Sequence, residues 1–216
     1  MQEALRKRGR SSKVSRERIL EASLVEFAEN GYEGATTASV ARRVGVTQPL
    51  IHYHFGSKEA LWRASVELAF GRMTSVLQGV EEDMGRVGPR EAIRIMARRF
   101  VYFNARYPEV GRLIISESAV RGPRLEWMVE KHLRPLIQQI EQMFRLGRDS
   151  GLVKDLPIQC VIFAFLGAVP HFFDASPLIG LLWDFNPLEP ERIEAHADTL
   201  VEIFTSGLLL PSESAQ

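Results

Sequence analysis

The side chains with the widest chemical range lie between Thr36 and Lys58, in TTASVARRVGVTQPLIHYHFGSK. Val40, Ala41 and Val44 make one short apolar face, Ile51 and Phe55 at i, i+4 make another, and Gly45 separates them. At about 100° per residue, turning Ile51 and Phe55 inward sends Pro49 and Tyr53 most directly outward. Leu50 and His52 then flank that face, and Gln48 stands at its exposed N-terminus. A displayed amide, apolar surface and phenol suit recognition better than bond making. Gln48 could pair bidentately with adenine, and Pro49 and Leu50 offer surface to a thymine methyl, while Thr37, Tyr53 and Lys58 could hold phosphates. Spacing alone also fits an ordinary helical hairpin with a polar face.

The elements that must position this face can be read around it. Thr36 and Thr37 are placed to cap a first short helix, and Thr47 to cap a second, because a hydroxyl before an apolar repeat satisfies first-turn N–H groups. Gly45 ends the first helix and Val46 plugs the turn. Pro49 falls in the first turn of the second helix, where its missing N–H costs nothing. Upstream, Ser15 is expected to cap a helix whose face Ile19, Ala22, Leu24, Phe27 and Ala28 covers the hairpin and which Asn30-Gly31 terminates. Downstream, Ser57 opens a helix running through Leu61, Trp62, Val66, Phe70 and Met73 to Val80, before the breaker Gly85 to Pro89. Lys58 in its first turn opposes the helix dipole, so stability does not favour it there and a phosphate partner would.

These residues resemble the DNA-binding signature of the tetracycline-repressor (TetR) family. The resemblance rests on Thr36-Thr37, Val40-Ala41, Gly45-Val46-Thr47, Tyr53, Phe55 and Lys58, preceded by Ile19-Leu20, Ala22, Phe27 and Gly31-Tyr32. It covers roughly residues 13 to 70 and departs from the pattern at Pro49, where glycine is common, and at His52, where the family often has a phosphate-contacting tyrosine. The candidate DNA face is Thr36, Thr37, Thr47, Gln48, Pro49, Leu50, His52, Tyr53 and Lys58.

Composition sets outer bounds. The 216 residues are 45% hydrophobic and 25% charged with a net charge of zero, as in ordinary globular chains. That charge is unevenly placed: residues 1–20 hold seven basic residues against Glu3 and Glu17, a net +5, which leaves −5 for the rest. A basic arm on a mildly acidic body suits a protein that touches DNA with one end. The arm, residues 1–14, lacks apolar periodicity and is expected to be disordered without DNA, free to enter a minor groove or to remain a solvated tail. The single Cys160 excludes an internal disulfide, fits a reducing cytoplasm and, in an apolar run, is expected to pack. No signal peptide is expected. The uncharged run Ile158 to Phe173 is 16 residues long, short of the ~20 that span a bilayer, so a buried helix is expected and no membrane partner.

From Pro89 on, every segment reads helical and none alternates with period two. Pro135 is expected to break or kink its segment. Ile158, Ile162, Phe165, Val169 and Phe172 step by 4 and 3, as do Ile193, Ala197, Leu200, Phe204 and Gly207. That 3.5 period is a bundle seam, serving either the domain's own core or a partner helix. The resemblance implies a homodimer in which these last two helices form a four-helix bundle with their copies. Asp174 to Pro190, with Pro177, Pro187 and Pro190, reads as the structured connection between them. The aromatic-rich helices between Phe100 and Phe173 suggest a pocket lined by Phe103, Tyr107, Trp127, His132, Phe144, Phe165 and His171, and a small-molecule effector there is what the resemblance implies.

Scattered histidines and the absence of Walker, G-x-S-x-G and C-x-x-C motifs argue against an enzyme, a metal or a cofactor. The expectation is an all-α chain: a helix-turn-helix DNA-binding domain over 15–60 and a larger helical effector-binding and dimerisation domain over 61–216. Its partners would be a palindromic double-stranded DNA operator, a lipophilic effector that releases it, and a second copy, making it a cytoplasmic transcriptional repressor. The alternative is a helical binding or enzymatic module with a purely structural hairpin.

Overall fold

The computed structural model describes residues 16–77 and 85–211. The basic arm 1–14, the Ser15 cap and the approach of the long helix to Val80 lie outside the described residues. Among those described the chain is all helix, and its one β-like feature is the isolated antiparallel bridge between Val153 and Leu209. Two compact units are present: one reaches Phe70 and includes Arg112–Ala119, and the other holds Gly71–Gly111 and the chain from Val120.

The first unit contains α1 (Arg16–Gly34), α2 (Thr37–Val44), α3 (Gln48–Phe55) and the start of α4 (Lys58–Leu77). Its core is Ile19, Leu24, Phe27, Val40, Ile51, Leu61, Trp62 and Val66, each essentially inaccessible to solvent. Burying a large side chain of this kind contributes roughly 1.5–3 kcal/mol, so α2 and α3, too short to persist alone, are held by packing. Ala22 and Ala28 are half-buried, whereas Ser23 and Glu26 join the buried face of α1. The Ser23 hydroxyl donates to the Ile19 carbonyl at 2.7 Å, which lets a polar residue sit there. Gly31 interrupts α1 with φ 65 and ψ 173, and one further turn carries the helix to Gly34, so the expected stop is a kink. That kink presents Tyr32, whose ring stacks on Phe27 with centroids 6.0 Å apart and meets Trp62 edge-on at 6.1 Å.

The second unit is built on α5 (Pro89–Arg106), α9 (Ile158–Asp174) and α11 (Pro190–Leu208). Its core joins Val101 of α5 to Val169 and Phe173 of α9 and to Ala197 and Leu200 of α11, with Phe100, Phe165, Phe172, Ile193 and Phe204 packed around them. Phe165, Val169 and Phe172 of the first 3.5-period stripe and Ile193, Ala197, Leu200 and Phe204 of the second thus enter this unit's own core, one of the two roles that the period allows, and Gly207 alone of the period's residues is exposed. At the edge of this core Arg98 pairs with Glu194 and Asp198, and Tyr102 donates to Glu194.

The remaining helices are α6 (Pro108–Ser118), α7 (Pro123–Met128), α8 (Arg134–Asp149) and α10 (Ser176–Trp183). Between α7 and α8, Val129–Leu133 form a π-turn in which the Arg134 N–H reaches back to the Val129 carbonyl. Pro135 thus falls in the first turn of a new helix, and the segment is interrupted just before it, as expected. Pro170 is accommodated inside α9. The expected structured connection contains the helix α10: Pro177 occupies its first turn, and α10 bends 68° away from α9. Among the described residues no single helix is long and apolar enough to cross a membrane. Cys160 is exposed on α9 rather than packed.

Candidate nucleic-acid interface

Local sequence explains how α2 and α3 are presented. Thr36 is the N-cap of α2: its hydroxyl accepts from the Ser39 N–H at 2.9 Å, and the Ser39 hydroxyl accepts from the Thr36 N–H at 3.0 Å. Gly45 closes α2 at φ 78, a left-handed conformation that glycine adopts without strain, and its N–H and that of Val46 return to the Ala41 carbonyl. Three residues later the chain is helical again. Thr47 holds the N-cap position of α3, but its hydroxyl makes no capping bond, so the expected side-chain cap is absent there. Pro49, in the first turn, supplies the stiffness instead.

Ile51 is fully buried and Phe55 half-buried, which fixes the rotation of α3. Thr47, Gln48, Pro49, His52, Tyr53 and His54 are exposed, Leu50 is half-buried, and Tyr53 is 82% exposed. The N-cap and the solvent-facing surface of α3 thus display Thr47, Gln48, Pro49, His52 and Tyr53, with half-buried Leu50 at the edge.

The other three are placed differently. Thr36 is exposed, with its hydroxyl engaged in the cap. Thr37 is buried at 8% exposure, with its hydroxyl 3.0 Å from Nε2 of Gln48 and 3.3 Å from Nε2 of His52. Lys58 is half-buried: its ammonium donates to the Glu33 carbonyl at 3.3 Å and sits 4.5 Å from the Tyr32 ring centroid. The fold itself therefore favours a cation at Lys58, which corrects the expectation that only a phosphate would. Ser57 caps α4, its hydroxyl accepting from the Ala60 N–H at 3.1 Å.

An ion pair between the exposed Arg43 and the buried Glu26 holds α2 against α1. Arg43 donates through Nε and Nη2 to Oε2 of Glu26 at 3.1 and 2.9 Å, and also pairs with Glu29. Burial opposes the Arg43 charge, yet the bonds to the two carboxylates outweigh it and raise the guanidinium above its ordinary value. Nothing in the residue spacing signalled this pair, since Glu26 reads as an ordinary exposed charge until α1 is rotated.

Three of the seven candidate effector residues, Phe103, Tyr107 and Phe165, are linked in one aromatic row through Phe100, whose ring stacks on Phe103 at 6.3 Å. Phe103 lies beside Tyr107 with ring centroids 5.4 Å apart, and Trp127 meets His132 edge-on at 5.2 Å. Phe165 is wedged between Phe100 and Phe204 at 5.4 and 4.9 Å, in the core itself. Phe144 is half-buried on α8, and His171 is exposed. A shallow, open hollow of about 460 Å³ lies elsewhere, against Ser176, Gly180, Asp184, Phe185 and Glu189. No group of three or more His, Cys, Asp or Glu residues with metal-holding geometry occurs among the described residues.

Known proteins resemble both units. Residues 19–64 match the family model for bacterial regulatory proteins of the tetR family, and residues 89–203 match the tetracyclin repressor-like C-terminal domain. The chain is 27% identical over 173 residues to the HTH-type transcriptional regulator RutR of Escherichia coli (strain K12), covering 80% of each chain. It is 23% identical over 209 residues to the HTH-type transcriptional repressor NicS of Pseudomonas putida, covering 94% of each. In fold it is similar to the transcriptional regulator FadR of Bacillus subtilis, solved in complex with stearoyl-CoA. That likeness has a TM-score of 0.63 at 17% identity and covers 89% of this chain and 99% of the other.

Proposed function

The chain belongs to the tetR family of bacterial regulatory proteins, and from that premise we propose a specific division of labour between its two units. The protein is a DNA-binding transcriptional repressor, not an enzyme, that acts in the cytoplasm. The first unit binds a double-stranded operator by laying α3 in the major groove, with Gln48, Pro49 and Leu50 toward base edges and Tyr53 toward a phosphate. The observation that carries this reading is the exposed face of α3 on a rotation locked by Ile51. Thr36, Thr47 and His52 flank it, and Lys58, tethered to Tyr32 and Glu33, can lend its charge to the backbone of the duplex.

The second unit pairs with its copy through the outer faces of α9 and α11, where Phe163 and Ile203 are 74% and 59% exposed. A two-fold dimer would present two α3 helices to a palindrome with half-sites about 34–36 Å apart or a multiple of that. The same unit takes a lipophilic effector next to the Phe103–Tyr107 and Trp127–His132 pairs, and effector binding lowers operator affinity by favouring one spacing of the reading helices. The helix α4, within which the boundary between units falls, is the element through which that preference would pass.

Selection of bound duplexes from a randomised pool, followed by a band-shift on the recovered sequence, tests the assignment. A palindromic consensus is expected, and Gln48→Ala should relax one base pair in each half-site by about 1–3 kcal/mol. Recovery of no preferred sequence would remove the reading.

A further inference from the structure

From Ser176 to Trp183 the helix α10 carries no charged residue, and among its large side chains Ile179 alone is buried. Leu178, Leu181, Leu182 and Trp183 are between 54% and 88% exposed. A helix that is apolar all round belongs inside a core, yet this one meets solvent over most of its surface.

The exposed face is held firmly between α9 and α11. At one end the Ser176 hydroxyl donates to the Phe173 carbonyl of α9, and at the other the Asp184 N–H returns to the Gly180 carbonyl at 3.0 Å. The Trp183 ring then stacks on Phe185 with centroids 6.5 Å apart, and the Arg192 guanidinium of α11 lies 4.3 Å from the centre of the Phe185 ring. The apolar surface of α10 is therefore anchored to both helices whose outer faces make the proposed contact with a second copy.

Area and charge say what covers it. At roughly 200 Å² for a large apolar side chain, the exposed parts of Phe163, Leu166 and Ile203 on α9 and α11 offer about 350 Å². A standard stable interface takes about 800 Å² from each partner, more than twice that. The four residues of α10 add about 500 Å², which brings the three helices together to the required size. No Lys or Arg lies between Lys154 and Arg192, and Asp174, Asp184 and Glu189 flank α10. Acidic neighbours repel DNA phosphates and anionic lipid headgroups, so the face suits another neutral apolar surface, which the same face of a second copy supplies.

We infer that α10 is a second half of the subunit interface, with Leu178, Leu181, Leu182 and Trp183 covered by a second copy of this chain. This inference rests on the proposed two-fold dimer and extends its contact beyond α9 and α11. In a two-fold contact both chains use the same patch, so each substitution in it acts twice.

The test is sedimentation equilibrium of the full chain over a dilution series. Leu181→Glu, at the most exposed of the four positions, should keep the circular dichroism of the unaltered protein and raise the dimer Kd at least about tenfold, and Leu178→Glu with Leu181→Glu should raise it further. Val120→Glu, at an apolar position 75% exposed beyond α6, should leave it within about twofold. Trp183 gives a second measurement that needs no charged variant, as the difference in emission between the unaltered protein and Trp183→Phe. That emission should resist acrylamide in the dimer and shift to the red on dilution into monomers.

A Leu181→Glu dimer as tight as the unaltered one, or a Trp183 as readily quenched in the dimer as in the monomer, would overturn the inference and leave a dimer built on α9 and α11 alone. Binding to phosphatidylcholine vesicles that Leu181→Glu abolishes, with the dimer unchanged, would give the face to lipid and sink the inference as well. A chain that stays monomeric at every concentration would remove the proposed dimer first, and this inference with it.

Discussion

The ammonium of Lys58 sits 4.5 Å from the centre of the Tyr32 ring and 3.3 Å from the Glu33 carbonyl oxygen, so the first residue of α4 is tied to the last turn of α1. A cation over an exposed aromatic face is worth about 0.5–1 kcal/mol. Lys58→Ala is expected to lower stability by that amount in urea unfolding, and to weaken binding to all duplexes alike with a shallower salt dependence. An unchanged unfolding midpoint would show that the tether carries no energy.

The Arg43–Glu26 pair makes a stronger demand. Glu26 is 6% exposed, so Arg43→Ala leaves a buried carboxylate with only Asn30, which donates at 3.1 Å, as its described side-chain partner. Thermal unfolding should show a loss of about 1–3 kcal/mol. Adding Glu26→Gln should restore part of it, and a double variant no better than the single would contradict this account.

How much of this could be read from the sequence differs between the two units, for a physical reason. In the first, caps and turns are local: Thr36, Gly45 and Pro49 act on their neighbours, so the hairpin and its exposed face were legible. Thr37, Lys58 and Arg43 were not, because their partners lie 11 to 25 positions away and only the packed fold brings them close. In the second unit the 3.5 period identified the buried stripes on α9 and α11 but carried no information about whose core they enter. The structured connection read from Asp174 to Pro190 holds α10, in which Pro177 takes a first-turn place.

Phe204 and Ile203 separate folding from assembly. Phe204 packs edge-on against Phe165 at 4.9 Å, whereas Ile203 is 59% exposed. Phe204→Glu should therefore melt the second unit, at a cost of several kcal/mol, rather than release intact monomers. Ile203→Glu or Phe163→Glu should keep the circular dichroism of the folded chain and sediment as a monomer. A dimeric Ile203→Glu would move the interface elsewhere.

Phe165→Ala follows the same logic. Its place between Phe100 and Phe204 predicts a cavity costing about 3–5 kcal/mol, with ligand effects secondary to lost stability. Trp127→Phe should instead leave stability within about 1 kcal/mol and abolish any effector-dependent fluorescence change if the effector lies beside Trp127. A full fluorescence response in Trp127→Phe would assign that signal to Trp62 or Trp183.

His196 supplies a pH dependence. Its ring stacks on Phe172 at 4.0 Å and meets Phe173 edge-on at 5.5 Å, and burial pushes the imidazole below its ordinary value, opposed by a smaller contribution from its hydrogen bond to the Val169 backbone. The unfolded chain then takes up this proton first. Stability contributed by the neutral ring is fully present above about pH 6.5 and is lost as pH falls toward the depressed folded value. His196→Gln should lose less stability than the unaltered protein between about pH 7.5 and about pH 5, and equal losses would dismiss the role.

The π-turn at Val129–Leu133 also changes what a deletion means in this chain. It holds one residue more than an α-helical register requires, as an inserted residue would leave it, and Leu133 and Arg134 continue in helical dihedrals beyond it. Removing one residue there would not shorten a loop; it would restore i→i−4 winding across the junction. The half-buried stripe Leu136, Ile140 and Met143 would keep its side, but the ring of Pro135 would be driven against the carbonyl four residues before it. Length variation among related chains should therefore be absorbed in the Ser150 to Leu156 connection and excluded from this turn, a reading-frame constraint written into a helix.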